Sequence, residues 1–220
     1  MRHRPLTWTT VGLALVLSFV APPNSAASAA VRVVTDPQVY EETAGGRAVA
    51  EDFTETAHFP LVSCRLDSQT REQGLRAGDI EPGVVFRTHC RQPQANELNI
   101  DLGSFEGGFL DGFHHGERYA RRALRISFAE PVRAFGFDTN VLMGQTFQVR
   151  VFHTDGRVDV LSGLKVTAPF EGEQFYGFLS DDADIQRVRI RGTGNPTFGF
   201  ALDDFRFNPA ANERVRRGPE

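Results

Sequence analysis

Phe198-Gly199-Phe200-Ala201-Leu202-Asp203-Asp204-Phe205-Arg206-Phe207 is the stretch on which the reading of the fold turns. Its large apolar residues alternate, the period of a strand with one buried face. Asp203 shares parity with Phe205 and Phe207, so it is expected to point inward near the strand end, with Asp204 pointing outward. A carboxylate is costly to bury alone, so the pair requires water, an arginine, backbone donors or a metal ion.

The same alternation recurs upstream. Leu124, Ile126 and Phe128 alternate with Arg125 and Ser127, and Phe135 with Phe137 marks a further strand beyond a turn at Glu130-Pro131. Phe147, Val149 and Val151 lead into Thr154-Asp155-Gly156, a tight hairpin in which Gly tolerates positive φ, and Val158 and Val160 continue after it. Phe175 and Phe178 precede an acidic turn, Asp181-Asp182-Ala183-Asp184, which reads as solvated, and Ile185, Val188 and Ile190 follow it. In the first half, Ala48 to Thr54 reads as a strand with Val49 and Phe53 on one face. Leu61 to Leu66 and Val84 to His89 read as neighbouring strands separated by a polar loop, and Glu97 to Leu102 as another strand. Gly103 to Arg122, with five Gly, reads as a surface excursion. One helix is expected, N-capped by Asp36 with Pro37 at its first position, running through Val39, Tyr40 and Ala44 and stopping at Gly45-Gly46. Strands at short spacing, split by turn signals and without interleaved helices, predict an all-β antiparallel sandwich.

Residues 1–30 read as a secretory leader: a basic start (Arg2, Arg4), an apolar run from Val11 to Val20, and small residues with Ala-x-Ala-like cleavage sites near Ala29 and Ala30. The apolar run falls short of the ~20 residues a spanning helix needs. Residues 31–208 are then the domain, and 209–220 a polar tail expected to be disordered. Removing the leader takes away two Arg and no acid, leaving 22 basic against 28 acidic residues and a formal charge of −6. That balance argues against nucleic acid or an anionic membrane as the main partner. Cys64 and Cys90 are the two cysteines, and in an exported chain their simplest state is a disulfide, with a half metal site or a reactive thiol as the competing readings.

Several segments together resemble a family. They are Tyr40 to Phe53, Pro82-Gly83-Val84-Val85-Phe86, Ile126 to Asp138, Phe175 to Ser180 with Ile185 to Ile190, and Phe198 to Phe207. The chain is similar to the jelly-roll extracellular domains of bacterial exported proteins, often those carrying PEP-CTERM sorting tails; no such tail follows Phe207 here. The resemblance implies a jelly-roll β-sandwich with one short N-terminal helix, and secretion or periplasmic residence. It also implies a structural calcium held by Asp203 with Asp52 and Glu55, although Thr54 stands where the family often has an acid. Such an ion takes six to eight oxygens, so backbone carbonyls would complete the shell. Similar jelly rolls include carbohydrate-binding modules, which makes glycans the ligand class the resemblance points to.

Catalytic patterns are sparse. There is no Gly-x-Ser-x-Gly and no His-Glu-x-x-His, and the adjacent pair His114-His115 would face opposite ways on a strand. Phe109, Phe113 and Tyr119 are the candidates for an exposed aromatic platform. Arg187, Arg189 and Arg191 form an alternating ladder that Arg125 and Arg150 extend if their strands lie alongside. Such a ladder reads as a solvated face neutralised by cross-strand Asp or Glu, with a grip on acidic polysaccharide as the alternative. The function expected from the sequence is an exported, non-catalytic binding or structural module of the cell envelope or exterior, with polysaccharide or envelope components as partners. The alternative is a secreted hydrolase with a site assembled from distant loops.

Overall fold

The computed structural model describes residues 30–45, 48–53, 59–61, 65–71, 75–88, 98–101, 109–112, 123–140, 146–165, 174–193 and 201–209. Its strands are β1 (Arg32–Val34), β2 (Val49–Glu51), β3 (Phe59–Leu61), β4 (Arg65–Asp67), β5 (Val84–Arg87), β6 (Leu98–Asp101) and β7 (Phe109–Gly112). They continue as β8 (Leu124–Asn140), β9 (Thr146–His153), β10 (Val158–Lys165), β11 (Gln174–Leu179), β12 (Ile185–Gly192) and β13 (Ala201–Pro209). One helix, α1 (Pro37–Ala44), follows β1. It begins as the sequence predicts: Asp36 Oδ1 accepts from Gln38 N at 2.8 Å and Val39 N at 3.3 Å, and Gly45 ends it at φ 68°.

The strands form one antiparallel sheet that curls over its own core. The curl originates in β8, which is 17 residues long. Its first half lies between β12 and β5 (Val188↔Ile126, Phe86↔Ile126), its second between β11 and β13 (Phe178↔Phe135, Phe207↔Phe135). The expected turn at Glu130-Pro131 is therefore corrected: the chain stays extended through it. The register against β12 slips between Ile185↔Val132 and Arg187↔Ser127, and this bulge admits a proline without costing a ladder hydrogen bond. The bend brings rings from the two halves together. Phe86 meets Phe205 at 5.3 Å between centroids, and Phe147 meets Tyr176 at 5.0 Å, both edge to face.

α1 covers the outer face of the second half. Tyr40 and Ala44 pack on Ala134, Phe175 and Leu179. Two glycines opposite each other in register, Gly136 and Gly177, make this possible. A Cβ on Gly177 would lie 2.6 Å from the Tyr40 ring, and one on Gly136 2.7 Å from that of Phe175.

Three further expectations change. The excursion from Gly103 to Arg122 contains β7, which pairs with β6 and β13. The strand expected over Ala48 to Thr54 is β2 alone, and Phe53 turns out of it at φ 53° while its ring stays buried. In the closing strand, Asp204 is left-handed (φ 43°) and the register slips between Asp203↔Asp138 and Arg206↔Gly136. This bulge breaks the assumed parity, so that Leu202, not Asp203, joins Phe205 and Phe207 in the core.

Candidate functional site

The first half of the sheet has an inner face of Leu66, Phe86, Ile126, Val149, Val151 and Val188. Alternation sends their neighbours to the opposite face. Register then aligns arginines across five strands: Arg65↔Arg87, Arg87↔Arg125, Arg125↔Arg189 and Arg189↔Arg150. Arg187 and Arg191 stand one pleat to either side of Arg189 on β12. Like charges directly opposite each other destabilise a sheet, so a row of this kind opposes folding unless something neutralises it.

The expected cross-strand carboxylates are absent among the described residues. Arg65 alone in the row pairs with one, Asp67, through Nε. Arg87, Arg125, Arg150, Arg187, Arg189 and Arg191 have no carboxylate within 4.0 Å among the described residues. Arg150 Nε instead donates to Gln148 Oε1 at 3.0 Å, and the Arg187 guanidinium lies 4.1 Å above the Phe152 ring. Nε of Arg189 and of Arg191 are buried and have no hydrogen-bond partner among the described residues. Burial, then the charges of Arg125, Arg150 and Arg191, hold the Arg189 guanidinium below its ordinary pKa. Arg125, Arg187, Arg189 and Phe152 line a shallow pocket of about 220 Å³. A site with convergent, unneutralised guanidinium donors binds anions; planar oxyanions such as carboxylates fit the guanidinium fork bidentately.

The carboxylates of the closing strand are satisfied differently. Asp203 is buried and faces Asp138 across the β8–β13 pair, and its Oδ1 accepts from Asp204 N at 2.8 Å. Arg206 reaches Asp204 at 3.2 Å, Asp138 at 3.4 Å and Glu41 at 3.4 Å. Backbone donor and arginine are thus the two of the four expected solutions seen here. Of the residues proposed to hold calcium with Asp203, Asp52 is exposed beyond β2, and Glu55 lies outside the described residues. Among the described residues no group of three or more His, Cys, Asp or Glu could hold a metal ion. The buried carboxylate of β2 is Glu51, which accepts from Phe53 N at 2.9 Å and Glu81 N at 2.7 Å.

Phe109 begins β7, opposite Asp101, rather than standing in a loop. Phe113, Tyr119, His114, His115, Cys64 and Cys90 lie outside the described residues. Within the acidic turn, Asp181 and Asp182 are exposed as expected, but Asp184 is taken up by His153, Arg157 and Ser180. The sequence ladder of five arginines contained Arg125 and Arg150; Arg65, Arg87 and the Phe152 ring come in only through strand register.

No protein-family model matches the chain, and neither a curated protein nor a solved structure matches it significantly.

Proposed function

We propose that this protein is an exported, non-catalytic binding module whose arginine face takes an acidic polysaccharide. The observation that carries this is the cross-strand row from Arg87 through Arg125 and Arg189 to Arg150, with no carboxylate partner among the described residues. In this reading the curled sheet is the body of a jelly-roll sandwich, and the face opposite its core is the ligand surface. Uronate or sulfate groups at regular spacing along a glycan would meet successive guanidinium groups across strands about 4.8 Å apart. The whole-sequence formal charge is −4, so the positive face is local. A single ring in the pocket, Phe152, already under Arg187, offers little for base stacking, which favours a sugar polymer over single-stranded nucleic acid.

Calorimetric titration with polygalacturonate tests this, with neutral dextran as control. The expected result is polygalacturonate binding that weakens steeply between 50 mM and 500 mM salt, and no heat with dextran. Equal binding of both polymers, or none to the acidic one, would overturn the proposal.

A further inference from the structure

His153 closes β9 on its inward alternation and is fully buried. Its Nδ1 lies 2.8 Å from Asp184 Oδ2, and its Nε2 lies 3.3 Å from Asp159 Oδ2. Arg157 reaches both carboxylates, Nη1 to Asp159 at 2.8 Å and Nη2 to Asp184 at 3.1 Å. Burial pushes Asp184 up, but hydrogen bonds from His153 and Ser180, with the charges of His153 and Arg157, bring it below the usual carboxylate range.

Two features leave this cluster incomplete. Among the described residues the buried His153 Nε2 has no hydrogen-bond partner, although it lies 3.3 Å from Asp159 Oδ2. Such a nitrogen costs stability until a donor or acceptor reaches it. The second feature is Val31 N, which joins Arg157 Nη1 as a second donor on the same Asp159 oxygen, at 3.0 Å. Val31 is buried, and Ala30 before it is exposed. Asp159 and Asp184 present two carboxylates to the one guanidinium of Arg157. A peptide N–H at Val31 supplies one donor and no charge. An α-ammonium at that nitrogen supplies three donors and one positive charge.

We infer that the amino group of Val31, freed by cleavage after Ala30, is the ligand that completes this cluster, docking on Asp159 as a buried ion pair. This rests on the export reading, which supplies the cleavage. A signal peptidase adds water across the Ala30–Val31 bond: the C–N bond breaks, hydroxyl joins the Ala30 carbonyl carbon, and a proton passes to the Val31 nitrogen. At neutral pH the new carboxyl of the departing leader gives up its proton and the amine takes one. One ammonium proton then serves Asp159 Oδ2, and β1, held on β11 through Arg32↔Leu179, gains a latch immediately before its first residue.

Other charged groups nearby do not replace the latch. Asp155 lies 3.9 Å from Arg157 Nε at the solvent edge, Arg133 Nε is engaged by Ser180 O at 3.3 Å, and Arg32 is exposed. A docked amine has its pKa raised above the ordinary ~7.7–8.0. Its stabilisation is therefore fully present below that ordinary value and is lost as pH rises through the raised one.

The test compares two forms released from a cleavable fusion, one beginning at Val31 and one retaining Ala30. The Val31 form should melt about 4–8 °C higher at pH 6.5, and the gap should close in strong alkali. The gap should also vanish in Asp159→Asn; if that variant does not fold, a raised α-amine pKa by ¹⁵N NMR on the Val31 form replaces it. Equal melting of the two forms, or an amine titrating at its ordinary value, overturns the latch. Intact mass of the exported full chain separates the two readings. A first residue of Val31 supports the cleavage, whereas a chain starting at Ala30 or retaining its leader rules it out even where the latch itself stabilises the Val31 form.

Discussion

Glu51 has both carboxylate oxygens occupied by backbone N–H groups, from Phe53 and Glu81, in a site closed to water. Burial pushes its pKa from 4.5 to about 7, against the pull of those two donors. The folded state thus holds the proton more tightly than the unfolded one. Its contribution to stability is fully present below about pH 4.5 and is lost as pH rises through about 7. The span corresponds to about 3 kcal/mol at most. Melting of wild type and Glu51→Gln between pH 5 and 8 checks this: wild type should lose more stability across the window than the variant, and parallel curves would contradict it. Arg189 makes the opposite bargain. It stands between Arg125 and Arg150, so Arg189→Gln should raise Tm by about 1–4 °C at low salt. The same change should weaken polygalacturonate binding. A variant that loses both stability and affinity would show that Arg189 serves packing instead.

At the scale of elements, β8 and β13 are both bulged, and β10 slips against β9 between Leu161 and Leu164. Alternation in the sequence located the strands well, because one face of each is buried and the period of two is strict. The hairpin at Thr154-Asp155-Gly156 and the cap at Asp36 were legible for the same local reasons. The bulges were not. A left-handed Asp204 looks like any aspartate in a sequence, and Pro131 signals a turn as readily as a bend in a long strand. The helix-covered face depends on Gly136 and Gly177, whose missing side chains admit the Phe175 and Tyr40 rings. Gly177→Ala should cost about 1–3 kcal/mol in urea unfolding, since the new methyl overlaps Tyr40 and Val34. An unchanged midpoint would mean that α1 is not seated there.

For the whole molecule, the sheet divides its residues by face. Inward residues supply the aromatic core, and the opposite face of one half carries an arginine row in which, among the described residues, Arg65 alone has a carboxylate partner. The positive row was only partly visible in the sequence, where Arg187, Arg189 and Arg191 alternate but Arg65 and Arg87 lie far upstream. Pairing of β4 with β5, and of β5 with β8, is what assembles it. In sequence, Cys64 immediately precedes Arg65 and Cys90 lies three residues past Arg87. A disulfide there should make the oxidised protein more stable than the reduced one by about 3.5 kcal/mol for a loop of about 26 residues. Intact mass with and without reductant, before alkylation, reads it directly; two free thiols in protein prepared without reductant would contradict it. Glycan binding at the arginine face is tested by the affinity for polygalacturonate of wild type against Arg125→Gln/Arg150→Gln/Arg189→Gln, at low salt, with folding verified by melting. A loss of at least tenfold is expected in a triple variant as stable as wild type or more so. A well-folded variant that still binds the polymer as tightly as wild type would contradict it.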